Sequence, residues 1–386
     1  MKYQTRCVVT PEVNEAGYRS LAPAVHRAST IVFKDAADYA ARSERGPDGY
    51  SYGLYGTPTT RQLEAKLNGL AGAARTLLVP SGQAANAVAA MALLSAGDHV
   101  LIADTSYPAM RSLADVDMKR SGIEPEYFDP TSLDDLAGRI RPETRLVWCE
   151  SPGSTTLEVQ DLPAIAEIAH KAGALVGCDN TWATSLGCKP IALGVDIVTE
   201  ALTKYASGHS DLLMGAMSFA SDEVALDVRD YMGRIGIGVS PDDAALVMRG
   251  METMALRFNH AAEGAKRLIE RLQDHSAVAD ILWPPLESSP GHALWRRDFT
   301  GAAGVFTVIL ADGASDKLDD ALGAMTTFAI GASWGGTRSL VAPMSIGHSR
   351  SVGKLTGEDL FLRFSVGLEA PEDLDADIEV FLSVLA

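Results

Sequence analysis

Two short segments carry a carboxylate and an amine where a reaction could be run. Asp179-Asn180-Thr181-Trp182 follows the apolar run Ala174-Leu175-Val176-Gly177-Cys178, and Thr203-Lys204-Tyr205 follows Asp196-Ile197-Val198-Thr199. If both runs are strands, Asp179 and Lys204 come to the same end of one sheet. Such a pair has two uses: a structural ion pair, or a pyridoxal phosphate (PLP) site in which the lysine forms a Schiff base and the carboxylate pairs with the pyridinium nitrogen. Ser81-Gly82-Gln83 lies between an apolar run and a helix-like stretch. It is either a tight strand-to-helix turn or a phosphate site made by free N–H groups and the helix dipole. Tyr107, in Asp104-Thr105-Ser106-Tyr107, could stack on a planar ring or pack at a loop edge. Arg363 stands on the polar face of an alternating stretch from Phe361 to Leu368. Its fork suits a carboxylate, and the plainer use is pairing with a surface acid.

Other chemistries lack their signatures. The histidines form no His-x-x-x-His pair and no cluster with cysteine, so metal spacing is absent. His209 reads as a structural hydrogen-bonder. No Gly-x-Ser-x-Gly elbow occurs. The stretch from Gly347 to Gly353-Lys354 imitates a phosphate-binding loop, but its spacing is wrong and Leu355 follows.

The elements that must position these residues alternate. Thr76–Val79, Val100–Ala103, Leu146–Cys149, Ala174–Cys178 and Asp196–Thr199 are short apolar runs that predict buried strands. Helices are predicted from Gln83 to Leu94 and from Pro163 to Lys171, the second with Pro in its first turn and Gly173 beyond its end. Apolar strands alternating with helices predict an α/β fold with a mostly parallel central sheet covered on both faces. Ligands of such sheets bind at the carboxyl ends of the strands, where the polar residues above are found. Residues 1–50 read as an N-terminal arm with a turn at Gly46-Pro47-Asp48-Gly49, residues 51–250 as the large domain, and residues 251–386 as a smaller C-terminal α+β domain. One long helix is expected from Asp242 to Leu272.

The chain has 386 residues, 47% of them hydrophobic and 22% charged, and a net charge of −17. These values predict a folded globular protein and argue against a nucleic-acid or anionic-membrane partner. The longest mostly apolar stretch, Ala84 to Leu94, is too short to span a bilayer. The N-terminus has no signal-peptide pattern. Cys7, Cys149, Cys178 and Cys188 form no Cys-x-x-Cys pair, and Cys149 and Cys178 lie in apolar runs as small buried hydrophobes. A reducing cytoplasm fits this usage.

Taken together, the segments resemble the cystathionine/methionine-metabolism family of PLP enzymes over nearly the whole chain. Ala201-Leu202-Thr203-Lys204-Tyr205-Ala206-Ser207-Gly208-His209-Ser210-Asp211 resembles the family's lysine segment, and Cys178-Asp179-Asn180-Thr181-Trp182 its pyridine-nitrogen segment. Glu150-Ser151-Pro152-Gly153-Ser154, Ser333-Trp334-Gly335-Gly336 and Arg297-Asp298-Phe299-Thr300-Gly301 resemble the β-lyase branch.

The resemblance implies a type I PLP fold, like aspartate aminotransferase, and a homotetramer built from dimers with shared active sites. It implies Lys204 as the Schiff-base lysine and proton carrier, Asp179 on the ring nitrogen and Tyr107 against the ring. It further implies Gly82, Gln83 and Thr203 on the phosphate, Arg363 on the substrate α-carboxylate with Ser333 nearby, and Trp334 shaping the pocket. Tyr52, in Tyr52-Gly53-Leu54-Tyr55-Gly56-Thr57, matches the stretch that reaches the neighbouring subunit's phosphate. The implied reaction is β-cleavage of L-cystathionine, an amino-acid thioether, to homocysteine, pyruvate and ammonia. The same scaffold also runs γ-elimination, γ-replacement and broader cysteine-S-conjugate cleavage, and a silent scaffold without PLP is the reading from another class. The chain departs from the family pattern at Leu54, where Arg is usual, and at Ala201, where Ser is usual. Either PLP binds more weakly, or another group such as Arg61 compensates.

Overall fold

The computed structural model describes residues 2–8, 14, 16–347, 350–352 and 361–386. Seven strands form the larger sheet: β1 (Arg75–Val79), β2 (His99–Ala103), β3 (Glu124–Phe128), β4 (Thr144–Glu150), β5 (Leu175–Asp179), β6 (Ile197–Glu200) and β7 (Gly215–Phe219). Their spatial order is β1-β7-β6-β5-β4-β2-β3. The pairings β6-β5, β5-β4, β4-β2 and β2-β3 are parallel, whereas β7 runs antiparallel to both its neighbours. The sheet is mostly parallel, as the alternating runs predict.

Each predicted strand is present, and two more were not predicted. β3 reads Glu-Pro-Glu-Tyr-Phe and closes the sheet's edge. Proline and charge are tolerated there because one side of an edge strand needs no partner, and the same residues hide it from an apolar-run search. β7 begins Gly215-Ala216, and this backbone passes so near the Ser81 carbonyl that a Cβ at 215 would sit 2.2 Å from it.

The smaller sheet contains β8 (Val278–Leu282), β9 (Val305–Leu310), β10 (Ala329–Ile330), β11 (Leu340–Met344) and β12 (Phe361–Ser365), in the order β10-β11-β12-β9-β8. The last strand is shorter than the predicted Phe361–Leu368. Its two faces are both buried: Phe364 is fully covered, Arg363 is 7% exposed and Ser365 2%. The polar face therefore turns toward the rest of the protein and not to solvent. Phe306, Phe328, Phe364 and Phe381 pack ring against ring beneath this sheet.

The single helix expected from Asp242 to Leu272 is two, Pro241–Met251 and Met254–Leu272. Ser240 caps the first by accepting from the N–H groups of Asp242 and Asp243. The break falls at Thr253, with φ −110° and ψ 4°. Gly250, just before it, presses on the Lys204 segment, where a Cβ would lie 2.2 Å from the Ser207 carbonyl. Gly250 and Thr253, both weak helix formers, fall at the break, and the close approach to Ser207 leaves no room for a side chain at 250.

Cys149, Cys178 and Cys188 are buried and free. The side chain of Cys7 and the Gly353-Lys354-Leu355 end of the loop mimic lie outside the described residues. The Gly46–Gly49 turn is closed by the Gly49 N–H donating to Gly46 O at 3.2 Å. His209 donates from Nδ1 to Ser207 O, 2.6 Å away. No helix among the described residues is long and apolar enough to cross a membrane.

Candidate active site

Parallel strands deliver their last residues to one edge, so the segments after β1, β2, β4, β5 and β6 meet there. They surround a cavity of about 230 Å³ whose wall includes Gly82, Gln83, Tyr107, Asp179, Thr203, Lys204, Trp334 and Arg363. Residues spread over more than 280 positions of the chain thus line one space.

The Asp179 carboxylate accepts three hydrogen bonds: from Thr181 N (2.9 Å), Thr181 Oγ1 (2.5 Å) and Asn86 Nδ2 (3.0 Å). Asn86 is itself fixed, because its Oδ1 accepts from Thr199 Oγ1 at 2.6 Å. The Lys204 amine donates to Ser333 Oγ at 2.9 Å and lies 5.2 Å from the Trp334 ring centroid. Burial, and secondarily the positive Arg363, lower the lysine pKa to about 8, with Asp179 opposing the shift.

Ser81 caps the helix Gly82–Leu93 through a bond from Ala84 N to its Oγ, 3.1 Å long. The N–H groups of Gly82 and Gln83 fall in the first turn and have no intrahelical acceptor. Glycine is required at 82, since a Cβ there would come 2.4 Å from Ala201 Cβ. The small residue at 201 is thus packed against the turn. Gln83 donates from Nε2 to Ala109 O at 3.1 Å, while its Oε1 is buried without a partner. Thr203 Oγ1 is bonded to both backbone groups of Met214, donating at 3.1 Å and accepting at 3.0 Å.

Arg363 reaches the cavity from the middle of β12, where it pairs in register with Ala342 and Thr307. Its guanidinium donates to Ala332 O, and burial lowers its pKa. Trp334 packs on Tyr205, ring centroids 5.8 Å apart. Tyr107 is 47% exposed, and its N–H donates to Glu150 Oε2 at 2.6 Å.

Two expected residues do not join the cavity of their own chain. Tyr52 is 49% exposed on the segment before the helix Pro58–Ala71. Arg61 is committed elsewhere: it bonds Glu64 Oε2 (2.7 Å), Tyr55 O (2.6 Å) and Pro47 O (3.2 Å), holding the Tyr52–Gly56 turn in place. Sequence reasoning passed over Asn86, Thr181 and Glu150. Asn86 was a visible signal, a polar residue inside an otherwise apolar helix one turn past the Ser81-Gly82 turn.

The donor set fits pyridoxal phosphate. The site offers a half-buried amine for the aldehyde, a firmly held carboxylate for the ring nitrogen, and first-turn N–H groups for the phosphate at a turn where Gly82 leaves no room for a side chain. Among the described residues no group of three or more His, Cys, Asp or Glu side chains could hold a metal ion.

Comparison with known proteins agrees. Residues 4–383 match the family described as Cys/Met metabolism PLP-dependent enzyme. A putative cystathionine beta-lyase of Rhizobium johnstonii is 42% identical over 361 residues, covering 92% of this chain and 89% of that protein. An L-alanine/L-glutamate racemase of Wolbachia pipientis is 36% identical over 378 residues, covering 95% and 93%. A cystathionine gamma synthase of Xanthomonas oryzae pv. oryzae, solved with aminoacrylate and cysteine, superposes with a TM-score of 0.87 at 28% identity, covering 96% of this chain and 94% of that one.

Proposed function

This chain belongs to the Cys/Met metabolism family of PLP-dependent enzymes, and from that premise we propose that it is a carbon–sulfur β-lyase that cleaves L-cystathionine to homocysteine, pyruvate and ammonia. Pyridoxal phosphate, when bound, supplies a conjugated ring that accepts the electron pair left at Cα. The protein's own groups do the rest. Lys204 Nζ, its pKa lowered to about 8, takes the proton from the substrate Cα. Asp179, held by three donors, keeps a proton on the ring nitrogen. Arg363 grips the α-carboxylate, with Ser333 beside it, and Tyr107 lies against the ring. The N–H groups of Gly82 and Gln83 hold the phosphate. Thr203 anchors that end through Met214.

The observation that carries β- over γ-cleavage is Trp334. Its ring stands 5.2 Å from the Lys204 amine in the cavity wall. Bulk at that point supports a substrate whose Cβ–S bond, and not a more distant one, lies beside the amine. The same reading includes a homotetramer in which the Tyr52 segment serves a neighbour's site, supported by the exposure of Tyr52 and Tyr55.

A product assay on L-cystathionine tests the reading. Pyruvate with homocysteine is expected. 2-Oxobutyrate with cysteine would replace it by γ-cleavage, homocysteine from O-acetylhomoserine and sulfide by γ-replacement, and D-alanine from L-alanine without keto acid by racemisation.

A further inference from the structure

One carboxyl in the cavity wall has no part in the chemistry above. Glu150 ends β4 and pairs in register with Asp179, which ends β5. In a parallel pair, residues on one rung point to the same face. Two carboxyls therefore stand side by side beneath the ring site, with unlike surroundings. Asp179 accepts three hydrogen bonds. Glu150 accepts one, the 2.6 Å bond from Tyr107 N. Its other near charges are Glu158 and Arg350. Burial first, and then Asp179, push the Glu150 pKa well above the carboxylate range. Glu150 is the carboxyl of this rung with fewer donors, and its shift favours the protonated form.

The bond to Tyr107 matters because little else holds that residue. Tyr107 precedes the five-residue helix Pro108–Ser112, with φ −47° and ψ 135°, and has no side-chain cap bond. Its carbonyl accepts from Met110 and Arg111, within its own short helix. Glu150 is thus the tie from this residue to the sheet, and Glu150 is in turn braced by Gln160 Nε2 on its backbone carbonyl at 2.8 Å.

We propose that Glu150 is the positioning residue for Tyr107, and that one rung of the sheet, Glu150–Asp179, fixes both the face and the nitrogen edge of the bound ring. Glu150 does this as a neutral acid, so its carbonyl oxygen is the functional part. The proposal rests on the assignment of Tyr107 to the ring and does not depend on which thioether is cleaved.

The test uses the holoenzyme and three variants, with visible circular dichroism of the bound cofactor as a readout separate from turnover. Glu150→Gln keeps a neutral acceptor of the same length. It should retain the wild-type dichroism, kcat/KM within about twofold, and an unchanged pH midpoint of the cofactor absorbance. Glu150→Ala leaves the Tyr107 N–H without its acceptor. It should lose most of the dichroic signal and about ten- to hundredfold in kcat/KM, since small misplacements of a contacting group have effects of this size. Glu150→Asp, too short to reach, should behave as Ala does, and it stands in if the Ala variant does not fold. Wild-type dichroism and kcat/KM in both short variants would overturn the positioning role. A Gln variant as impaired as Ala, or one whose midpoint moves downward, would show instead that a charge at 150 is what counts. If the wild type releases no pyruvate from cystathionine, only the β-lyase reading falls, because the dichroism of the bound cofactor still reports on Glu150.

Discussion

Asp179 and Arg363 face the same cavity from strands of different kinds. Asp179 terminates a parallel strand, and its segment continues into the loop that braces it. Arg363 sits mid-strand between two antiparallel neighbours, which fix its register. The larger sheet therefore works through its ends, where backbone is free to bind phosphate and side chains can be oriented by local turns. The smaller sheet works through its face, where a rigid ladder aims one cation. Strand ends suit groups that local turns must aim at the reacting atoms, and a fixed register suits a group that must hold an anion in one place.

Substitutions can break that division. Lys204→Ala removes the proton carrier at a strand-following turn, and turnover of cystathionine should fall by about 10³-fold or more. A variant within tenfold of wild type would place the chemistry elsewhere. Arg363→Lys keeps the charge but loses the fork, and kcat/KM should fall about ten- to hundredfold, mainly through KM. A fall confined to kcat would assign the smaller sheet a role in the chemistry itself.

The lowered lysine pKa makes the strand-end amine respond to pH. Only the uncharged amine captures an aldehyde, so the rate of PLP uptake by apoprotein should rise about tenfold per pH unit below about 8 and level off above it. A midpoint near the ordinary 10.5 would deny the effect of burial and of Arg363. Burying Lys204 destabilises the apoprotein while the amine is charged, and this penalty is relieved as pH rises from about 8 toward 10.5.

The smallest effect concerns the seam between the two sheets. Tyr205 OH accepts from Gly304 N at 3.0 Å, tying the lysine segment to the start of β9. Tyr205→Phe leaves that buried N–H unpaired and should lower unfolding stability by about 1–3 kcal/mol with KM nearly unchanged. A changed KM with intact stability would mean that the seam tunes the site.

The same division explains which parts could be read from the chain alone. The strand-end groups were legible because function and fold signal are contiguous there: an apolar run, then Asp179-Asn180-Thr181-Trp182, or Thr203-Lys204. Arg363 was visible as a residue, but its burial was not, because alternation within a strand does not say which face meets another layer. Glu150 and Asn86 act through partners 43 and 93 positions away, and no local pattern carries that. Edge strand β3 was hidden by its proline and acids. The break at Thr253 lies within one apolar helical period, which runs on through both helices and so does not mark it.

The covalent role of Lys204 comes before every other assignment in the site. Borohydride reduction of the purified holoenzyme, followed by proteolysis and peptide mass mapping, tests it directly. A stable pyridoxyl adduct on the peptide carrying Lys204 is the predicted result; an adduct on a different lysine, or none on a protein that holds PLP, would contradict it.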